Sequence, residues 1–213
     1  MHEIDFYFDP ISPYAWLAFA QLPEALEGLS YSVRYRPILF AGLLQHWGQK
    51  GPAEIEPKRA WTFRQVHWLA AKHGIAIDTP AAHPFNPLAL LRLLLACAPA
   101  GGLPNRLQCE TVLRHVWQGG AVADDPARLQ ELQATLAPQR DPQGDEVKRE
   151  LREATEAAVA AGLFGVPSLV SGGRVFWGFD ALPMLADALR GGAWFDGPAW
   201  SREGAPRPGL VRR

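Results

Sequence analysis

The chain reads as an α/β protein whose sheet is interrupted in sequence by a long all-helical block. Three observations predict this. Strand patterns stand only near the two ends, at Ile4–Phe8 and Tyr31–Ile38 and again at Ser168–Val170 and Arg174–Trp177. From about Phe40 to Gly162 the apolar residues recur at helical spacing, broken by Gly and Pro. One helical segment joins the first two strands, which makes them a parallel βαβ unit with a right-handed crossover.

Composition fits that class and excludes others. A chain of 213 residues, 48% hydrophobic and 20% charged, has the make-up of a globular protein with a sizeable core. Its net charge of −1 gives no electrostatic case for nucleic acid or an anionic membrane as partner. The longest apolar run, Leu88–Ala100, carries Arg92 and falls short of the roughly 18 residues a membrane helix needs. Met1 leads straight into a strand with Glu3 and Asp5, without the pattern of a signal peptide. Cys97 and Cys109 stand apart in helical patterns and are expected as reduced core thiols of a cytoplasmic protein.

The elements follow in order. Ile4–Phe8 has the aromatic and branched side chains of a buried strand, ended by Asp9 and Pro10. Ser12 and Pro13 open a helix, since Ser is a preferred N-cap and Pro at the first helical position gives up only an amide without a partner. Tyr14, Leu17 and Phe19 begin its apolar side, before Pro23. Tyr31–Ile38 alternates strictly, with Pro37 near its exit. Within the helical block, Lys58–His73 is polar and aromatic-rich, with Trp61, Gln65 and Trp68 on one side. Loop His83–Pro84–Phe85–Asn86–Pro87 leads into Leu88–Ala98, apolar nearly all round and expected at the centre. Pro104–Gln118 keeps Cys109, Val112, Leu113, Val116 and Trp117 on one face. Asp125–Pro126 caps a helix with Leu129, Leu132 and Leu136 in phase, and Pro142–Ala161 is a long helix stopped by Gly162. The last strands flank Gly172–Gly173, a hairpin signature, and Asp180–Leu189 is a final amphipathic helix. From Gly191 the chain is rich in Gly, Pro and Arg and is expected on the surface. This order is that of a thioredoxin-like domain, residues 1–40 and 163–213, with a large all-helical insertion at 41–162.

Ser12 is the first candidate for chemistry. Its ordinary reading is a helix cap. A strand running into a helix start also brings a hydroxyl, free amides and the positive dipole end to one place, which suits an anion. Ser12–Pro13–Tyr14–Ala15 stands where thioredoxin-like oxidoreductases carry Cys-x-x-Cys, with a hydroxyl for the attacking sulfur and a methyl for the resolving one. Disulfide exchange needs a thiolate, so an active site here must take its thiol from outside. The second candidate is Gly165–Val166–Pro167–Ser168. A Pro at this point in such folds is cis and turns the backbone of Val166 outward to pair with an extended peptide. His46, His67 and His83 lack ligand spacing and no metal site is expected. Trp47, Trp61 and Trp68 are expected mainly to pack the helical block.

Asp5–Phe6–Tyr7–Phe8–Asp9 with Ser12–Pro13–Tyr14, His83–Pro84–Phe85–Asn86–Pro87, Phe164–Gly165–Val166–Pro167–Ser168 and Phe176–Trp177–Gly178–Phe179–Asp180 resembles the 2-hydroxychromene-2-carboxylate isomerase family. That family is similar to kappa-class glutathione transferases and to the DsbA-like branch of the thioredoxin superfamily. The resemblance covers roughly residues 3 to 190 in the right order. It implies glutathione as cofactor, a homodimer, and interconversion of 2-hydroxychromene-2-carboxylate and trans-o-hydroxybenzylidenepyruvate in aromatic catabolism. It implies Ser12 as the catalytic residue; as a nucleophile that hydroxyl would need a base, and none stands near it in sequence, so it is expected to stabilise a glutathione thiolate instead. Ser12, Val166, Pro167, Trp177, Gly178, Phe179 and Asp180 would hold glutathione, and Asn86 the substrate, an aromatic or pyruvate-type carboxylate. Lys58 and Arg59, which otherwise read as a solvated face, are the cations the helical block offers to such a carboxylate. The family often has Arg directly after the Asp, where Ala181 stands here. A kappa-like transferase and a non-catalytic DsbA-like binding module are the alternatives.

Overall fold

The computed structural model describes residues 1–203. Its frame is a four-stranded mixed sheet in the order β2-β1-β3-β4. β1 (His2–Phe8) pairs in parallel with β2 (Tyr31–Pro37), from His2 against Tyr31 to Phe8 against Pro37. On its other side β1 pairs antiparallel with β3 (Ser168–Ser171), and β3 forms a hairpin with β4 (Arg174–Trp177). Gly172 and Gly173 make that turn with φ of 56° and 75°, the left-handed pair that a two-residue hairpin needs.

Helix α1 (Pro13–Ala25) joins β1 to β2. The insertion then runs through α2 (Phe40–His46), α3 (Glu56–Lys72), α4 (Leu88–Ala96), α5 (Arg106–Trp117), α6 (Pro126–Leu136) and α7 (Asp145–Ala160). After β4 come α8 (Leu182–Leu189), α9 (Ala193–Asp196) and α10 (Pro198–Glu203). The period of two along β1 serves both faces of the sheet. Ile4, Phe6 and Phe8 enter the main buried cluster with Leu17 and Phe19 of α1, Leu94 of α4, Val112 of α5 and Leu185 of α8. Tyr7 turns to the other face, where Ile38, Leu43, Ala158, Leu163 and Val166 form a smaller cluster with residues of α2 and α7. Leu90 and Leu94 are fully buried, so α4 is the central helix its apolar surface predicts. Among the described residues no helix is long and apolar enough to cross a membrane.

Four expectations need correction. Helix α1 does not end before Pro23 but continues to Ala25. Proline there frees the carbonyl four residues back, that of Phe19, and Arg106 Nη2 donates to it at 3.4 Å while stacking over the Phe19 ring at 4.3 Å. Trp47, Trp61 and Trp68 do not pack the insertion: they are 45%, 63% and 60% exposed. The buried residues of α3 are Val66 and Ala70, which turns the stripe of Trp61, Gln65 and Trp68 outward. The last long helix begins at Leu182 rather than Asp180, after a 3₁₀ turn over Phe179–Ala181. The segment after Gly191 forms α9 and α10, and Phe195 is buried against Phe176. The remainder of that tail, 204–213, lies outside the described residues.

Candidate active site

Ser12 is the N-cap of α1, with φ −87° and ψ 116°. Its Oγ accepts the Ala15 N–H at 3.2 Å and donates to the Val166 carbonyl at 3.3 Å, 154 positions along the chain. Pro13 has no N–H and Ala15 is satisfied by Ser12, which leaves the Tyr14 N–H as the first-turn amide with no acceptor among the described residues. The side chain of Tyr14 turns away to Gln65 on α3, at 2.6 Å. Burial raises the Tyr14 phenol, with the Asp180 charge adding to the effect and a bond from Thr62 opposing it.

The Val166–Pro167 peptide is cis, as the sequence predicts. Val166 is buried, its carbonyl takes the Ser12 hydroxyl, and its N–H has no acceptor among the described residues. Pro167 O accepts the Gly178 N–H at 2.9 Å, so the cis turn and the stretch after β4 lie side by side. Gly178 has φ 97°, a conformation that favours glycine. Trp177 is half exposed; its indole lies over Gly165, where a Cβ would meet Nε1, and makes an edge contact with Phe164 at 4.9 Å. Phe179 is buried against the His73 ring, whereas Asp180 is exposed. The Asp180 side chain does not cap α8, whose N-cap is Ala181 without a side-chain bond. The structure thus brings together Ser12, Val166, Pro167 and Gly178, with Trp177 at their edge and the Asp180 charge felt at Tyr14.

The three substrate candidates are more dispersed. Asn86 Oδ1 accepts the Leu88 N–H at 3.1 Å, a local bond at the start of α4, and its backbone N–H goes to Asp124. Lys58 and Arg59 are exposed on the first turns of α3, and neither forms an ion pair among the described residues. Arg59 lies close enough to His83 to act on its imidazole. Burial is the main force holding that imidazole below its usual range, and the Arg59 charge adds to it. No group of three or more His, Cys, Asp or Glu able to hold a metal occurs among the described residues.

Two groups at the site escaped sequence reading. Asp9 read only as a strand breaker, yet its carboxylate is fully buried, accepting the Ile11 N–H at 3.0 Å and the Phe40 N–H at 2.9 Å. Desolvation raises its pKa to about 7 against the pull of those two amides. His83 reaches Ile11 O across 72 positions, a contact with no local signature. Both cysteines are buried and free, and burial pushes the Cys97 thiol up to about 11. Neither is an available thiolate.

Fold and site define a thioredoxin-like protein whose first helix opens on Ser12–Pro13–Tyr14–Ala15, without a sulfur in its first turn. The chain belongs to the DSBA-like thioredoxin domain family, which matches residues 3–190. It is 28% identical over 197 residues to the 2-hydroxychromene-2-carboxylate isomerase of Sphingobium xenophagum, covering 87% of this chain and 97% of that protein. It is 27% identical over 208 residues to glutathione S-transferase kappa 2 of Caenorhabditis elegans, covering 87% and 90%. The solved structure of a 2-hydroxychromene-2-carboxylate isomerase superposes with a TM-score of 0.77 at 22% identity, over 91% of this chain and 97% of that one.

Proposed function

We propose that the protein is a glutathione-dependent isomerase of the 2-hydroxychromene-2-carboxylate type, acting in the cytoplasm as a homodimer. The observation that carries this reading is the contact of Ser12 Oγ with Val166 O, at the start of a helix and beside a cis proline. A site built that way has no sulfur of its own and offers backbone to a cysteinyl peptide. The residues present fit glutathione: the amides of Tyr14 and Val166 are without acceptors among the described residues, and Gly178, bonded to Pro167 O, sets the likewise unpaired amides of Phe179 and Asp180 beyond the cis turn. When bound, glutathione supplies a thiolate able to add reversibly to an α,β-unsaturated pyruvate, so that a double bond becomes free to rotate.

The chain's own residues then have distinct tasks. The Ser12 hydroxyl turns from Val166 O to the sulfur, and the Tyr14 N–H and the helix dipole act with it to favour the ionised thiol. Hydrogen bonds to a charged acceptor are worth on the order of 1.5–3 kcal/mol each, so each lowers that pKa by about one or two units. The Val166 N–H, and its carbonyl once free of the Ser12 hydroxyl, would offer a donor and an acceptor to the cysteinyl part of bound glutathione. The backbone amides of Phe179 and Asp180 and the Asp180 carboxylate would hold the glutamyl end, beside Trp177; the Gly178 amide, expected to share in this, is instead taken by Pro167 O. Ala181 leaves that carboxylate end to backbone donors alone. Arg59, with Lys58 and Asn86, receives the substrate carboxylate.

Ser12→Ala is expected to lower turnover about 10- to 100-fold, the loss of one charge-assisted bond. Unaltered kinetics would remove the catalytic assignment. Glutathione recovered intact after complete turnover supports an isomerase; its stoichiometric consumption points instead to a kappa-like transferase. Absence of glutathione binding by calorimetry favours a non-catalytic module.

A further inference from the structure

Both peptide planes ahead of Ser12 are tied down at each end. In the Pro10–Ile11 peptide, the carbonyl accepts from Trp117 Nε1 at 2.9 Å and the N–H donates to Asp9 Oδ1 at 3.0 Å. In the Ile11–Ser12 peptide, the carbonyl lies 2.9 Å from His83 Nε2 and the N–H donates to Asp9 O at 3.0 Å. A planar unit held by both its donor and its acceptor cannot swing without breaking a bond. The direction of the Ser12 Cα–Cβ bond is therefore set before anything binds, which is the preorganisation a thiolate site needs.

The helical insertion delivers two of these ties, Trp117 from the end of α5 and His83 from the loop ahead of α4. The rings of Phe63 and Phe85, near perpendicular to that of His83, and the tilted indole of Trp117 surround its ring. A carbonyl partner requires that Nε2 carry the proton. Nδ1 is buried without a partner among the described residues. The imidazole is thus held neutral, by one N–H, with its second nitrogen left unsatisfied at a cost. Simple packing would be served better by an apolar ring; the donor is what an imidazole adds here.

We propose that His83 is a positioning residue, whose Nε2–H grips the Ile11 carbonyl and so aims the Ser12 hydroxyl and the Tyr14 amide at the thiol position. This rests on the reading of Ser12 as the thiolate holder.

Two variants separate donor from ring. His83→Phe keeps the ring and removes the N–H; His83→Gln keeps an N–H and removes the ring. Amide hydrogen exchange over residues 9–15 is measured in the free protein, and the thiol pKa of bound glutathione from thiolate absorbance near 240 nm. In His83→Phe the Ile11 and Ser12 amides are expected to exchange about tenfold faster, the loss of one hydrogen bond. The same variant is expected to raise the bound thiol pKa by about one unit, a tenfold fall in thiolate. His83→Gln should stay close to wild type in both. Wild-type behaviour of the Phe variant overturns the proposal, as does loss in the Gln variant, which would mark a packing role and is decisive even if the Phe variant does not fold. A wild-type protein that fails to bind glutathione overturns the proposed function alone, since exchange in the free protein still decides the role of His83.

Discussion

At the scale of single residues, Asp9 sets the sharpest expectation. Its carboxylate is fully buried, meets only the amides of Ile11 and Phe40, and has its pKa raised to about 7 chiefly by desolvation. The folded state therefore holds this proton where the unfolded chain, near pH 4, has released it. The stabilising contribution of the neutral form is complete below about pH 4 and is lost as pH rises through about 7. Buried His83 runs the other way, because its pKa is lowered mainly by burial and its contribution is lost as pH falls. Urea midpoints of wild type and Asp9→Asn separate the two: the stability advantage of wild type should shrink from pH 4 to pH 7 and then level off. A difference that is flat over that range would contradict the buried-acid assignment. Ser12 and Asp9 also show what a sequence reveals. A Ser-Pro helix start is local grammar, so the cap and the replaced sulfur positions were readable. The burial of Asp9 depends on chain that arrives from Phe40, and nothing next to Asp9 announces it.

Among the elements, α1 carries a proline in its last turn, a residue that normally ends the reading of a helix. Arg106 resolves it by donating to Phe19 O, stacking over the Phe19 ring and bonding Tyr35 Oη at 3.0 Å. Arg106→Ala should destabilise the fold by about 1–3 kcal/mol, as expected for an orphaned carbonyl and a lost cation–π contact. Chemical denaturation checks this, and a change below a few tenths would show that α1 tolerates Pro23 unaided. Helices whose apolar period matched their burial, α4 and α5 above all, were legible because one stripe or the whole surface meets the core. Helix α3 was not. Its tryptophans share a face with Gln65, and hydrophobicity alone does not tell a buried stripe from an exposed one. The start of α5 was misjudged by two positions: Asn105 Oδ1 and Gln108 Oε1 exchange bonds with each other's amides in a capping box that starts the helix at Arg106, a clearer start signal than Pro104.

For the whole molecule, we propose that the division at 41–162 is one of chain topology, because the main buried cluster crosses it. Leu94 of the insertion belongs to the same cluster as Phe6 of β1 and Leu185 of α8. Leu94→Ala should therefore cost about 2–5 kcal/mol and shift far-UV dichroism and tryptophan fluorescence together; separate transitions would mean two folding units. The class of fold was legible from where strands cease and resume. The site was legible only in part, since it joins the end of β1, the start of α1, the cis turn and the insertion loop, and only the first three announce themselves locally. What remains central is our proposal that Ser12 and the backbone of Val166 together receive a thiol that the site itself does not possess. A crystal of the protein grown with glutathione tests this most directly. The expected map has the cysteinyl sulfur within hydrogen-bond reach of Ser12 Oγ and the cysteinyl backbone paired with Val166; glutathione bound elsewhere, or a Ser12 hydroxyl still on Val166 O in the saturated protein, would contradict it.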